Sequence, residues 1–318
     1  MTPAEILNQP ARALTQAQRE FYHREGYLLV ENAVSPDWLA RLRAVTEEMV
    51  EKSRGLTRSD AVFDLEPGHT AENPRLRRLT SPVAHHPVYW EFLTEGPLPD
   101  IAADLVGPDV KFHHSKLNFK WAAGGEEVKW HQDIQFYPHT NYSPLAIGVY
   151  LHDCGPEQGP LCVIPGSHEG PLYDQYNGRG EWVGALCDAD SARLPIERAV
   201  ELPGPAGSIT IHNSRTVHSS RPNLSGVGRP LLLYALSSAD AFAYTPHPVP
   251  TRYVGHLLRG SPARWAHVDP RPCQIPPDWS GGYTSIFAAQ QKEEWDSDQL
   301  AESARRRGRM AAAATAAM

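Results

Sequence analysis

Val110-Lys111-Phe112-His113-His114-Ser115-Lys116-Leu117-Asn118-Phe119-Lys120 is the stretch on which the fold turns. Side chains leave a β-strand alternately to its two faces. Here Phe112, His114, Lys116, Asn118 and Lys120 fall on one face, and His113, Ser115, Leu117 and Phe119 on the other. The first set is polar, yet it lies in a segment that should sit inside a sheet. That is expected where the face lines a wet cavity rather than a dry core.

Downstream, further short strands are expected at 127–137, 145–151, 160–164, 198–202, 207–212, 214–218 and 230–238, parted by turn clusters such as Gly155-Pro156-Glu157-Gln158-Gly159 and Asn223-Leu224-Ser225-Gly226. Upstream, Thr15 caps a helix that carries Phe21 and Tyr22 and ends at Gly26, and Tyr27-Leu28-Leu29-Val30 reads as a buried strand. Ser35-Pro36 opens a second helix, with Trp38, Leu39, Leu42, Val45 and Met49 at helical spacing up to about Ser53. Residues 54–80 look irregular, a candidate mobile segment over a site, and 86–105 read as one helix opened by Pro87. Helices followed by many short strands make the chain mainly β with flanking helices. The expected architecture is a closed double-sheet jelly roll of the cupin kind, a double-stranded β-helix. The expected layout is a loose arm over 1–14, one domain over 15–289 with its jelly-roll core at about 110–240, and a charged, then alanine-rich tail over 290–318.

Composition narrows the function. A formal charge of −7 offers no basic field for a nucleic-acid backbone, and the one dense basic run, Arg305-Arg306-Arg307-Gly308-Arg309, reads as solvated tail. No apolar run approaches the ~18 residues of a membrane span. The N-terminus, with Glu5 and no apolar core, does not read as a secretory signal, so a cytoplasmic protein is expected. Cys154, Cys162, Cys187 and Cys273 lack zinc-knuckle spacing and are expected as reduced thiols.

The chemistry begins at Trp130-His131-Gln132-Asp133. His131 and Asp133, two apart on a strand, leave from the same face and supply two thirds of the two-histidine, one-carboxylate site of non-haem Fe(II) enzymes. The same spacing occurs at His23/Glu25 and His267/Asp269. The first pair lies on a predicted helix, where side chains two apart diverge by about 200°, and the second lies in a proline-laden coil. His218, at the end of the strand after the turn at 212–216, is the expected third ligand, with His212 as a rival. Such a set leaves coordination positions open, and its mixed oxygen and nitrogen donors suit Fe(II) better than a closed structural zinc. Arg229 opens the next strand. Buried near the metal, its guanidinium requires an anionic partner, which a dicarboxylate chelating the metal at its other end would supply, with a further hydrogen bond from Ser220. The alternative is a surface arginine, the reading given to Arg215 and Arg221.

Trp130-His131-Gln132-Asp133, Gly159-Pro160-Leu161-Cys162-Val163-Ile164-Pro165-Gly166-Ser167-His168, Thr216-Val217-His218-Ser219-Ser220-Arg221-Pro222-Asn223 and Arg229 together resemble the phytanoyl-CoA dioxygenase family of Fe(II)/2-oxoglutarate-dependent oxygenases. Phe21-Tyr22-His23-Arg24-Glu25-Gly26-Tyr27-Leu28-Leu29-Val30 is similar to that family's opening, and the likeness spans roughly residues 15–240. It implies iron at His131, Asp133 and His218, and 2-oxoglutarate at Ser220 and Arg229. The run 112–120 further resembles the ectoine hydroxylase branch, which implies a 2-oxoglutarate contact at Asn118 and a substrate contact at His114. Gly148 stands where family members carry an aromatic residue, and the family's upstream basic cosubstrate contact falls on Arg77 or Arg78. Asp133 occupies the position where related halogenases have a small residue, which argues against halogenation.

The expected activity is therefore oxidation of a C–H bond of a small-molecule metabolite, consuming O2 and 2-oxoglutarate and releasing succinate and CO2. A non-oxidative cupin-like isomerase or lyase, using the metal as a Lewis acid, is the alternative; it gives Arg229 no task. A binding protein on a decayed oxygenase fold is a third reading, opposed by the intact ligand set. Candidate substrate contacts are His114, Phe136, Tyr137 and Trp182, with Tyr244 as a further possibility.

Overall fold

The computed structural model describes residues 1–122, 125–277 and 285–291. Its first third is largely helical. Capping boxes open both α1 (Pro3–Leu7) and α2 (Gln16–Glu25), where the hydroxyls of Thr2 and Thr15 accept from the backbone and Glu5 and Gln18 answer the caps' own N–H groups. Gly26 closes α2 at φ 80°, and a Cβ there would run into the His168 ring, so two constraints meet on one glycine. β1 (Tyr27–Val30) follows, then α3 (Pro36–Ser53), which buries Leu39, Leu42, Val45 and Met49. Residues 1–14, expected as a loose arm, carry α1 instead and are tied down. The Asp104 carboxylate accepts the N–H groups of Arg12, Ala13 and Leu14, each at 2.8 Å.

The segment 54–80, expected as irregular cover, contains β2 (Phe63–Leu65) and β3 (Leu76–Thr80), which pair with each other and lie along the sheet. Two adjacent arginines hid β3 from a hydropathy reading. Leu76 and Leu79 are fully buried there, and Arg77 is paired with Asp64 at 2.9 Å. The single helix expected over 86–105 is two, α4 (Pro87–Glu95) and α5 (Leu98–Val106), because Pro97 has no N–H to continue the first.

The β-rich body comprises β4 (Val110–Lys120), β5 (Val128–His131), β6 (Leu145–Tyr150), β7 (Cys162–Val163), the short α6 (Asp188–Ser191), β8 (Val200–Glu201), β9 (Ile209–Asn213), β10 (His218–Ser220), β11 (Arg229–Ser238) and β12 (Leu257–Arg259). α7 (Ile286–Gln291) ends the described chain. One sheet runs β1-β9-β6-β11-β4-β3-β2 with β12 also on β4; the other runs β5-β10-β7-β8, and all these pairings are antiparallel. This is the cupin-like double-sheet fold. It is not the closed barrel expected, since no ladder joins the two sheets among the described residues. The helices cover the outer face of the larger sheet, where Leu42, Phe92 and Leu98 join one apolar core with Leu117, Phe119, Ile211, Leu232 and Tyr234. The inner face is left to the cavity. The tail expected over 290–318 begins inside α7, and its residues 292–318 lie outside the described residues.

Candidate metal centre and cosubstrate pocket

Register decides which side chains enter the cavity. Across the larger sheet Arg78 pairs with Asn118, Asn118 with Leu231 and Leu231 with Tyr150. One row on, Thr80, Lys116, Leu233, Gly148 and Thr210 align in the same way. Directly paired residues share a face, so Asn118, Lys116, Leu231 and Leu233 point inward together. The register slips between Ala235 opposite His114 and Leu236 opposite Phe112, leaving His113 as a bulged extra residue. Simple alternation put Phe112 on the wet face with His114. The bulge returns Phe112 to the core with Leu117 and Phe119.

The smaller sheet supplies the two histidines. His131, at the end of β5, stands directly opposite His218, which begins β10 rather than ending a strand over 214–218. Their ring centroids are 4.0 Å apart. Each ring donates Nδ1–H to the carbonyl two residues earlier, His131 to Lys129 at 2.8 Å and His218 to Thr216 at 2.9 Å. A carbonyl can only accept, so both tautomers are fixed with the Nε2 lone pair free. Asp133 follows in a one-turn 3-10 helix, its Oδ1 3.5 Å from His131 Nε2 and 3.9 Å from His218 Nε2. One ligand atom from each of the three lies within 4.8 Å of the others, and all three side chains are buried. Burial, with the neighbouring His131 and His212, holds the His218 pKa well below its usual range, which keeps the imidazole neutral. For Asp133 burial alone would act upward, but the Lys116 charge and the adjacent His131 and His212 rings hold the carboxyl well below the usual carboxylate range. Two neutral imidazoles and one carboxylate, with no thiolate among them, fit a ferrous ion. His212, the rival ligand, packs against the His218 ring at 4.1 Å between centroids and faces the other carboxylate oxygen of Asp133, with its Nε2 3.4 Å from Oδ2.

The pocket beside this triad is lined by Arg229, Ser220, Asn118, Lys120, Leu231 and Phe287 among others. Arg229 is 4% exposed, and no ion pair reaches it among the described residues. Arg229 Nε and Asn118 Oδ1 are both buried without a hydrogen-bond partner. Polar groups left so would be costly unless a ligand meets them. β11, which Arg229 opens, pairs with β4 and β6 and not with β10 as expected, so the arginine reaches the pocket from the opposite sheet. Arg221 is an exposed ion-pair partner of Glu201, in keeping with the surface reading. Arg215 is not: it is 4% exposed, stacked on Tyr142 and bonded to the Gly170 carbonyl.

On the other side of Asp133 and Lys116, a second pocket is lined by Arg78, His114, Phe136, Tyr137 and His247. Trp182 packs edge-on behind Phe136, at 5.2 Å between centroids, and Tyr244 is exposed. Sequence reasoning placed Lys116 and Lys120 on the wet face without giving either a role. Their signal was two lysines at strand spacing with no acidic residue on the same face; Lys116 is half-buried and Lys120 buried. Lys120 donates to the carbonyls of Ser220 and Arg221, and burial, with Arg229 beside it, pushes its pKa down to about 6.

A family model described as phytanoyl-CoA dioxygenase matches residues 22–231. The probable alpha-ketoglutarate-dependent hypophosphite dioxygenase of Stutzerimonas stutzeri is 31% identical over 230 residues, spanning 71% of this chain and 79% of that protein. The ectoine dioxygenase of Bordetella parapertussis is 29% identical over 231 residues, 68% of this chain and 72% of that one. Among solved structures, EctD from S. alaskensis with bound Fe aligns with a TM-score of 0.63 at 22% identity, over 84% of this chain and 89% of its own, a likeness of fold.

Proposed function

The chain belongs to the phytanoyl-CoA dioxygenase family and is a 2-oxoglutarate-dependent non-haem iron dioxygenase acting on a small molecule, and from that premise we propose how its residues divide the work. His131, Asp133 and His218 hold Fe(II). Arg229, Ser220 and Asn118 hold 2-oxoglutarate, and His114, Phe136 and Tyr137, backed by Trp182, face the substrate. All of these belong to one oxygenase unit over 15–289, working without nucleic acid or membrane in the cytoplasm. Among the described residues no helix is long and apolar enough to cross a membrane.

The iron, when bound, supplies the site at which O2 and the keto acid are activated. The overall change is R–H + 2-oxoglutarate + O2 → R–OH + succinate + CO2. The protein's part is positional. Backbone carbonyls at Lys129 and Thr216 lock the two ligand tautomers. Arg229 answers the distal carboxylate through a planar fork, Ser220 adds a hydroxyl donor, and Leu231, Leu233 and Phe287 exclude water from the rest of the pocket.

The observation that carries this reading is a buried arginine with no anionic partner among the described residues, in the same pocket as three convergent ligands. The non-oxidative alternative leaves that arginine without a task. Replacing Arg229 by Met removes a charge-assisted bidentate contact, so the KM for 2-oxoglutarate in succinate release should rise about 10- to 100-fold with Fe(II) affinity nearly unchanged. An unchanged KM would remove Arg229 from the cosubstrate site.

A further inference from the structure

Lys116 stands on the wall between the two pockets. It lines both, as does Asp133. Its ammonium makes no hydrogen bond or ion pair to any described side chain, and the carboxylate whose charge reaches it is Asp133. That carboxylate belongs to the metal triad, and with iron in place its charge is answered from there. On the substrate side Arg78, 3% exposed, adds a second cation to the lining, and the remaining wall is neutral: His114, Phe136, Tyr137, His247 and a strip of Pro248-Val249. His247 is not available to complement a cationic ligand. Its Nε2–H donates to the His113 carbonyl at 3.1 Å, and its Nδ1 accepts the Val249 N–H at 3.0 Å. Both ring nitrogens are therefore spent on fixing the wall. Apart from Asp133, no acidic residue lines this pocket among the described residues.

We propose that the substrate is a small anion, a carboxylate or a phosphorus oxyanion, whose charged oxygens bind between Lys116 and Arg78 while its oxidisable C–H or P–H bond faces the metal side of Asp133. The inference rests on the functional reading above and deepens it. Cosubstrate and substrate are then sorted by two cationic stations on opposite sides of one lysine, Arg229 with Lys120 on one side and Lys116 with Arg78 on the other. The register brings this about: Arg78 pairs with Asn118, two residues beyond Lys116 on the same inward face of β4, so the two cations are diagonal neighbours across adjacent strands. The reaction balance is that of the parent activity, one oxygen atom of O2 entering the X–H bond as hydroxyl and the other leaving in succinate.

The test uses the iron-loaded full chain and reads two signals. The first is the absorption of the Fe(II)·2-oxoglutarate complex under anaerobic conditions. The second is succinate release under O2 with sodium hypophosphite, sodium propionate, or the neutral propionamide added in turn. The expected result is that the complex forms, that at least one anion perturbs its absorption and stimulates succinate release, and that propionamide does neither. Hypophosphite alone assigns a P–H substrate, and propionate alone a C–H substrate. Lys116→Met and Arg78→Gln should each weaken the anion response about tenfold or more while affecting 2-oxoglutarate affinity less, and Arg229→Met should show the opposite order. If the complex forms but neither anion acts, or propionamide acts equally, the anion assignment is overturned while the enzyme reading stands. Failure of the complex to form overturns the enzyme reading itself.

Discussion

Asp133 is held from two sides. One oxygen faces His131 and His218, and the other is 3.4 Å from His212 Nε2. A carboxylate that presents one oxygen to a metal must have the other restrained, or it rotates and chelates poorly, and such outer partners tune affinity as well as orientation. We propose His212 as the residue that restrains this second oxygen, a positioning role rather than that of third ligand. His212→Ala should lower Fe(II) affinity about 10- to 100-fold, while His212→Asn, which keeps a donor, should recover much of it. A Fe(II) titration followed with and without 2-oxoglutarate checks this. An unchanged iron affinity in the alanine variant would leave the Asp133 contact structurally incidental. His131 and Asp133 could be nominated from residue type and spacing, although Asp133 lies in a turn just past the strand, and His218 from its place after the strand and turn that precede it. His212 could be named only as a rival to His218, because its approach to the second oxygen of Asp133 depends on the pairing of β9 with β6, and no local pattern encodes that.

Elements were legible where local chemistry fixes them. Thr15, Gly26 and Ser35-Pro36 marked helix ends correctly because capping is a short-range event. β4 was legible as a strand, but its faces were not. A single bulged residue, His113, reverses the alternation upstream of it, and only the partner strand reveals the slip. β2 and β3 escaped notice because their burial is supplied by a sheet edge and by the Arg77–Asp64 pair, not by apolar runs. Gly148 shows how an element tunes the site it carries. It sits mid-strand in β6, where a Cβ would come 2.8 Å from Thr210 Oγ1 and 3.0 Å from Leu231 Cδ1, and Leu231 lines the cosubstrate pocket. Gly148→Ala should displace Leu231 toward that pocket. The expected outcome is a loss of about 1–3 kcal/mol in unfolding free energy together with a higher KM for 2-oxoglutarate. Denaturant melts and succinate kinetics on the same preparation read both effects, and a stability loss with an unchanged KM would show that Leu231 relaxes elsewhere.

Taken whole, the molecule separates charge. The chain carries a formal −7, yet Arg78, Lys116, Lys120 and Arg229 line its cavity, where Asp133 is the one carboxylate among the described residues. A net negative chain around a cavity lined with basic side chains disfavours polyanions outside and favours small anions within. Burial is the larger cause, and Arg229 the second, of a Lys120 pKa depressed to about 6, so at neutral pH the free enzyme holds this amine mostly uncharged. A dicarboxylate docking beside it favours the ammonium, so the bound-state pKa must lie higher than the free one. The sign of the linkage follows. Below about pH 6 the amine is charged in both states and affinity is level with respect to this group. Above that value binding takes up a proton, so 2-oxoglutarate affinity should fall with rising pH, by up to about tenfold per pH unit, until the bound-state pKa is passed. Calorimetric titrations of the iron-loaded enzyme at pH 7.5, in buffers of different ionisation enthalpy, should report fractional proton uptake on 2-oxoglutarate binding. Lys120→Met should abolish that uptake and flatten the pH dependence, while lowering affinity at pH 6. Proton uptake that persists in this variant would place the titrating group elsewhere and remove Lys120 from the cosubstrate station.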